Sequence, residues 1–592
     1  MKSNAVQLIQ SEEGVSLIWL LAVIAPPGCG KSTLLDALAG RLDSNTRQTG
    51  EILVNGHKQA LACGTSAYVT QDNTLLMTLT VREAVHYSAQ LQLPDSMSKS
   101  EKKERTDITM KEMGLQDAMD TRIGGWGCKG ISCGQKMRVG ICVEIITHPR
   151  LLFLDEPTSG LDSAASYYVM SSIASLDQKD GIQRTIIVAI HQPSGDVFQL
   201  FNNLCLVSSG KAVYFGPAFA ANKFFALNGF PCTTLHNPSD HFLKTLNMDF
   251  EQDPEQGLTG GITREEATNI LIKSYKSSQI SQQVDKELSE ICKKDCEAME
   301  KQRSHASFLT QCLVLTKRSF VNTYCDVGYY WLRLGIYVVL ALILGTIFLD
   351  ISSDKTTIQA RGSLLMFVTS FFTFITIGGF PSFVEEMKVF ECERLNRDYG
   401  VAAFVISNTL SAVPYLLWIS LIPGAITYWL AGLHFGFNHY LYFTYVLFTS
   451  MFLVGSSMMI VACIVPNFLM GIIAGSGILG VTMLDSGFYQ APDYLPKPFW
   501  RYPLHYLAFH KYAFQGLFKN EFEGSTFIRN EILGPMTIQG EEILRTVWQV
   551  EMNYSKWVDL AILLGMVVFC RLLFLVIFKS NEKVKPIFAA FK

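Results

Sequence analysis

Six stretches in the second half of this 592-residue chain carry almost no charge: 334–350, 362–384, 401–433, 440–465, 467–484 and 558–578. A helix needs about 20 mostly apolar residues to cross the hydrocarbon of a bilayer. In lipid, only helices and closed barrels satisfy every backbone amide. The pattern therefore predicts six transmembrane helices near 330–349, 362–384, 402–430, 440–465, 467–487 and 558–578. Charged residues make up 17% of the chain, against about 25% in an ordinary soluble domain. The deficit sits in these segments, while charges crowd 95–115 and 250–305. The third segment contains Pro414 and Pro423, so tilting or kinking is expected there.

A net charge of −3 gives no reason to expect nucleic acid as a partner. The fourteen cysteines are scattered, with none between 464 and 569, which fits a reduced compartment better than a disulfide framework. Cys292 and Cys296 fall one helical turn apart but lack neighbouring ligands, so no zinc site is expected. The apolar run Leu17–Ile24 is short and has no basic leader, and it reads as a strand rather than a signal peptide.

The first half alternates apolar strand-like runs with helical patterns over 16–230, as an α/β P-loop domain does. Strands are expected at Ser16–Ile24, Ala67–Thr70, Leu151–Leu154 and Thr185–Ile190. Between the first strand and a helix lies APPGCGKST, Ala25 to Thr33. Such a loop holds nucleotide phosphates through backbone N–H groups at a helix N-terminus. Pro27, Gly28, Cys29 and Gly30 supply the loop, Lys31 reaches the β/γ-phosphates, and Ser32, followed by Thr33, offers a hydroxyl to Mg²⁺. Asp155 ends an apolar strand and is expected to hold the same Mg²⁺ through water, with Glu156 next to it as general base or water-orienting group. His191 follows TIIVAI and is placed to contact the γ-phosphate; Gln71 follows AYVT and is placed to reach metal and membrane domain. Alone, either residue would read as structural. Their order and spacing relative to the other segments turn the reading to function.

Residues 130–162 read GISCGQKMRVGICVEIITHPRLLFLDEPTSGLD. ISCGQ resembles the signature turn of ATP-binding cassettes, PTSGLD the segment after their second Walker strand, and HQPS their switch-histidine loop. One nucleotide domain followed by one membrane domain, with NPSDHFL at 237–243, resembles the ABCG (white–brown) half-transporters. YYWLRLGIYVV, QARGSLLMFV, GGFPSFVEEMKVFECERL and AAFVISNTLSAVP are similar to plant members that export cuticular lipids. The likeness covers about residues 21–578.

The resemblance implies a multidomain chain. An α/β P-loop nucleotide-binding domain (1–245) leads through a charged linker (246–305) and a connecting helix (306–328) to an all-α six-span domain of the ABC2 type (329–592). It also implies obligate dimerisation, with itself or with a second half-transporter, and two Mg²⁺-ATP sandwiched between facing nucleotide domains. Ser132, Gly134 and Gln135 would then act in trans on the partner's γ-phosphate, and Asp162 would join the nucleotide-binding set. With the nucleotide domain cytosolic, 385–400 lies inside and 488–557 outside, where Asn553 heads a glycosylation sequon. Lys579, Lys583 and Lys585 after the last span agree with the positive-inside rule.

Four features depart from the family pattern. Ala25 opens the phosphate loop where glycine is usual, which leads to an expectation of reduced ATP affinity. Cys133 replaces the first glycine of the signature turn, and Met137 stands where arginine is usual. Cys133 is expected to impair turnover by strain or by displacing the phosphate. The opening 24 residues lack a secure adenine-stacking aromatic, Trp19 being a poor candidate. In the membrane half, Phe367, Phe371 and Phe374 form one helical stripe, either a wall for a lipid-like substrate or plain packing. Asp485 ends the fifth span, as a functional carboxylate or a cap. Glu393 and Arg394 are candidates for transmitting nucleotide-domain closure. These readings favour ATP-driven export of a hydrophobic lipid, such as a wax, cutin precursor or sterol, across the plasma membrane. The alternative is a catalytically weak structural subunit of a heterodimer.

Overall fold

Runs of aliphatic residues build the first sheet, because a parallel strand buried on both faces needs apolar side chains on both. β1 (Leu20–Ile24, LLAVI), β3 (Leu151–Asp155, LLFLD) and β4 (Thr185–Ile190, TIIVAI) are buried along their whole length. With β2 (Ser66–Val69), β5 (Asn203–Ser208) and β6 (Lys211–Pro217) they form a six-stranded sheet in the order β2-β3-β4-β1-β5-β6. All neighbours are parallel except β5 and β6. In this computed structural model the described residues are 20–42, 46, 49, 52–54, 66–71, 74–124, 129–176, 184–232, 237–247, 264–293, 306–351, 357–465, 467–531 and 534–589. Trp19 and Cys296 lie outside them. The chain divides into two units, one of Met1–Val314 with Val389–Gly400, the other of Leu315–Lys388 with Val401–Lys592.

Helices cover both faces of the sheet. α1 (Lys31–Leu38) packs Leu35 and Leu38 on one face, against Tyr68 and Phe153. α2 (Val81–Gln92), α3 (Lys99–Glu112), α4 (Cys133–Ile145) and α5 (Ser163–Ala174) contribute to the larger core on the other. That core extends further along the chain than expected. Ala267 and Leu271, both 0% exposed, and Tyr275 recur every four residues on the helix Arg264–Ser277. They belong to the same core, with the Tyr275 ring 6.0 Å from Tyr214 of β6. A single apolar stripe thus ties part of the stretch 246–305 into the domain, although its composition reads as a linker. The connecting helix runs Phe308–Cys325.

In the second unit every expected span coincides with a helix: α6 (Leu332–Ile347), α7 (Ile358–Thr376) continuing into α8 (Phe380–Leu395), α9 (Val401–Leu430), α10 (Phe437–Ile464), α11 (Phe468–Leu484) and, after an intervening helix, α13 (Lys556–Ala589). Four are long and apolar enough to cross a membrane; α6 and α11, with 16 and 17 residues, are shorter. α9 continues through both prolines, and Thr427 Oγ1 donates to the Pro423 carbonyl at 3.1 Å.

The segment 488–557, expected as a loop, is largely folded. It contains α12 (Phe509–Phe522), all 14 residues of which are buried, the hairpin β7 (Thr526–Glu531) and β8 (Gly534–Gln539), and a short helix Gly540–Thr546. The polar sequence FHKYAFQGLFKNEF hides this because its charges are matched by residues far away in the chain. Lys519 pairs with Asp559 at 3.0 Å, both side chains 0% exposed, and Arg361 pairs with Glu521. His510 lies within 3.1 Å of the Thr482 hydroxyl, and Lys511 meets Glu551 at 3.1 Å.

Candidate nucleotide-binding site

The registers Ile24↔Ile190 and Asp155↔Ala189 set the carboxyl ends of β1, β3 and β4 side by side. Open α/β sheets bind ligands at that edge. From β1 the chain enters a loop in which Gly28 and Gly30 adopt φ of 72° and 91°. Only glycine takes such angles freely. A Cβ built on either would meet no atom within 4 Å, so the loop forms an open cradle. Cys29 N–H donates to the Pro26 carbonyl at 3.3 Å and closes the turn, and Thr33 is exposed on α1.

Lys31 is only 6% exposed, and its ammonium donates to the carbonyls of Ala25 (3.0 Å) and Pro26 (3.5 Å). Burial lowers its pKa, opposed chiefly by Glu156. The Ser32 hydroxyl donates to Asp155 Oδ1 at 3.0 Å. Burial pushes the Asp155 carboxyl above its usual range, and the Ser32 hydrogen bond only partly offsets this. A desolvated carboxylate beside a hydroxyl, next to an empty-walled glycine cradle, fits a phosphate-bound divalent cation. ATP phosphates would rest against Gly28–Ser32, and Mg²⁺, held by Ser32 and Asp155, would screen their charge.

Glu156 occupies a sharp turn with φ 47°, fixed by its N–H donating to Ala189 O at 2.9 Å. Gln71 Nε2 donates to Glu156 Oε2 at 2.9 Å, so the two residues read separately from sequence stand together. His191 follows β4, and its buried Nδ1 has no hydrogen-bond partner among the described residues.

Ala25 adds no backbone strain to the cradle. Its φ is not positive, it is 0% exposed, and its methyl belongs to the core beside α1. The methyl thus faces the interior, while the carbonyl serves Lys31. The strain expected at Cys133 is absent too: it is the first residue of α4 and has no positive φ. Its side chain is exposed, so obstruction is the only cost left. Ser132 caps α4 by accepting from Gln135 N–H (3.2 Å), while Gln135 Oε1 accepts from Ser132 N–H (3.0 Å). Gly134 is buried, its Cβ position 3.4 Å from Ala165. Met137 is 3% exposed and packs in the core. Asp162 caps α5, accepting from Ala165 N–H at 2.6 Å. Among the described residues, no hydrogen bond joins 132–135 to the phosphate loop.

Within the first unit, residues 389–400 carry Glu393 and Arg394, and Asn396 beside them bridges two other elements. Asn396 donates to Glu144 of α4 and accepts from Arg41 just after α1. Arg41 lies 4.0 Å over the Tyr68 ring, whose hydroxyl donates to Asp36 of α1 at 2.8 Å. Burial, then Asp398, raises the Glu144 carboxyl well above its usual range. Glu393 accepts from the Tyr399 hydroxyl. An amide among charged residues carries no periodic or motif signal, so Asn396 was not legible. In the second unit Phe367, Phe371 and Phe374 are 39%, 42% and 54% exposed, with Phe367 stacked on Phe371 at 5.9 Å. Asp485 caps α11, but it is 3% exposed and neither carboxylate oxygen has a partner among the described residues.

Comparison with known families agrees with this geometry. Residues 15–159 match the ABC transporter family model, and residues 310–522 match the ABC-2 type transporter model. Fold and site thus define an ATP-binding cassette transporter, which hydrolyses ATP to drive transport across a membrane. The chain is 63% identical to ABC transporter G family member 1 of Petunia hybrida, over 97% of its length and 88% of the relative's. It is 49% identical to ABC transporter G family member 11 of Arabidopsis thaliana (96% and 82%). It is 32% identical to the broad substrate specificity ATP-binding cassette transporter ABCG2 of Mus musculus (88% and 81%). The chain belongs to the ABC transporter G family and is a half-transporter.

Proposed function

We propose that the chain exports hydrophobic or amphipathic lipids, with Mg²⁺-ATP bound between the nucleotide domains of two half-transporters in the plasma membrane. The observation that carries this reading is the split site. Lys31, Ser32, Asp155, Glu156 and Gln71 gather around the glycine cradle, whereas Ser132 and Gln135 cap a separate turn that makes no bond to it. A second copy or a related chain would complete each site, with its signature turn facing this cradle. Glu156 and His191 act on the attacking water and the γ-phosphate, and Asn396, with Glu393 and Arg394 beside it, passes closure to α8 and α9. The exposed Phe367–Phe371–Phe374 stripe supplies an apolar wall for a lipid.

Reconstitution in lipid vesicles tests the reading. Labelled wax, sterol and hydroxy-acid lipids should accumulate in an ATP-dependent manner, and Lys31→Met should abolish it. Accumulation that survives Lys31→Met removes the proposal. The exposed thiol of Cys133 supports a second reading, a weak subunit that works only beside a more active partner. An ATPase-silent homodimer that gains activity on mixing with another half-transporter decides for it.

A further inference from the structure

The second unit encloses a cavity of about 110 Å³ between the connecting helix, α6, α8, α9, α10 and α13. Arg571, in the middle of α13, lines it and is 8% exposed. All its contacts are to neutral groups: Nε donates to Ser456 Oγ and Nη1 to Asn408 Oδ1, each at 2.9 Å, and the guanidinium lies 5.1 Å over the Phe452 ring. Among the described residues no carboxylate lies within ion-pair reach of Arg571, and Nη2 donates to nothing. Lys519 and Arg361, also buried in this unit, differ: Lys519 has Asp559, and Arg361 has Glu521. A buried charge without a counter-charge is costly, and in a membrane helix it marks a functional position.

The two acidic residues lining the cavity do not fill the gap. Asp326 accepts from Ser382 at 3.4 Å, and Glu386 accepts from Ser319 and, at 3.3 Å, from Asn408. Asn408 therefore stands between Glu386 and Arg571, donating to one and accepting from the other. Apolar side chains, including Phe380, Leu416 and Met451, complete the wall. Gly455 also lines the cavity, and a Cβ there would meet no atom within 4 Å.

We propose that this cavity binds the carboxylate head of an amphiphile, such as a long-chain fatty acid, with Arg571 as its counter-charge and the alkyl chain leaving along the apolar wall. The volume suits a carboxylate and its first methylenes and is small for a glycerophospholipid head. Guanidinium groups pair with carboxylates through two parallel hydrogen bonds, which uses the free Nη2. The proposal deepens the lipid-export reading in naming a class of ligand, yet it rests on binding and not on transport.

The test is photolabelling of the full-length protein in nanodiscs, without ATP, by a diazirine-bearing fatty acid, the matching fatty alcohol and a lysophosphatidate competitor. The acid should label saturably, at peptides lining the cavity, and about tenfold more strongly than the alcohol, as one charge-assisted pair implies. Arg571→Gln should remove that preference and Arg571→Lys retain part of it. Gly455→Leu should block labelling while leaving Arg571 in place. Equal labelling by alcohol and acid in the wild-type protein overturns the proposal even if no variant folds. So does wild-type labelling of Gly455→Leu, or stronger displacement by lysophosphatidate than by unlabelled acid. Loss of ATP-driven transport with intact acid binding would remove the export reading alone.

Discussion

The two units treat charge in opposite ways. In the nucleotide-binding unit, Lys31, Asp155 and Glu156 crowd one sheet edge without forming ion pairs with one another, leaning instead on carbonyls, a hydroxyl and an amide. In the membrane unit, Lys519–Asp559 and Arg361–Glu521 are direct pairs sealed from solvent. The first arrangement leaves charge to be answered by a ligand. The second cancels charge so that a polar helix, α12, can sit inside an apolar domain. Arg571 departs from those two pairs: like the charged groups of the first unit, it leans on neutral partners.

Substitutions can break or sharpen this contrast. The largest effect is expected from Glu156→Gln, which keeps the hydrogen bond to Gln71 but removes the base. Phosphate release by the reconstituted protein should fall about 10²- to 10⁴-fold. Next comes Lys519→Met, which strands a fully buried carboxylate and should cost about 3–5 kcal/mol in thermal unfolding in detergent. Adding Asp559→Leu should recover most of that, since an apolar pair of similar volume replaces the ions; no recovery would mean that the pair does more than neutralise. Cys133→Gly should raise ATPase turnover at least twofold by clearing the signature turn. A smaller change means that the exposed thiol does not obstruct. The smallest effect is expected from Ala25→Gly. Because the methyl is core, the glycine form should lose about 1 kcal/mol of stability and show no gain in ATP affinity by equilibrium binding.

Much of the nucleotide-binding unit was legible because its chemistry is local. The loop Ala25–Thr33, the strand ending at Asp155 and the residue after β4 each sit within a short contiguous motif. The apolar helices of the second unit were legible from composition, since lipid imposes one crude rule on every residue it touches. What escaped depends on pairing at long range. α12 reads as a loop until Asp559 and Arg361 are known to face Lys519 and Glu521, 40 and 160 residues away. Asn396 is indistinguishable from any polar loop residue until Arg41 and Glu144 close around it. The strain part of the Ala25 and Cys133 readings turns on a related point: a missing glycine strains the backbone only where φ is positive, neither residue has such a φ, and sequence does not reveal it.

The bend at Glu156 separates durability from chemistry. A non-glycine residue in the left-handed region sits about 1 kcal/mol above its relaxed state, so the fold holds this carboxylate against its own preference. Glu156→Gly should make the isolated fold melt later while leaving it unable to turn over nucleotide. A search for hardier versions of this transporter would find that change early and would thereby select a silent pump.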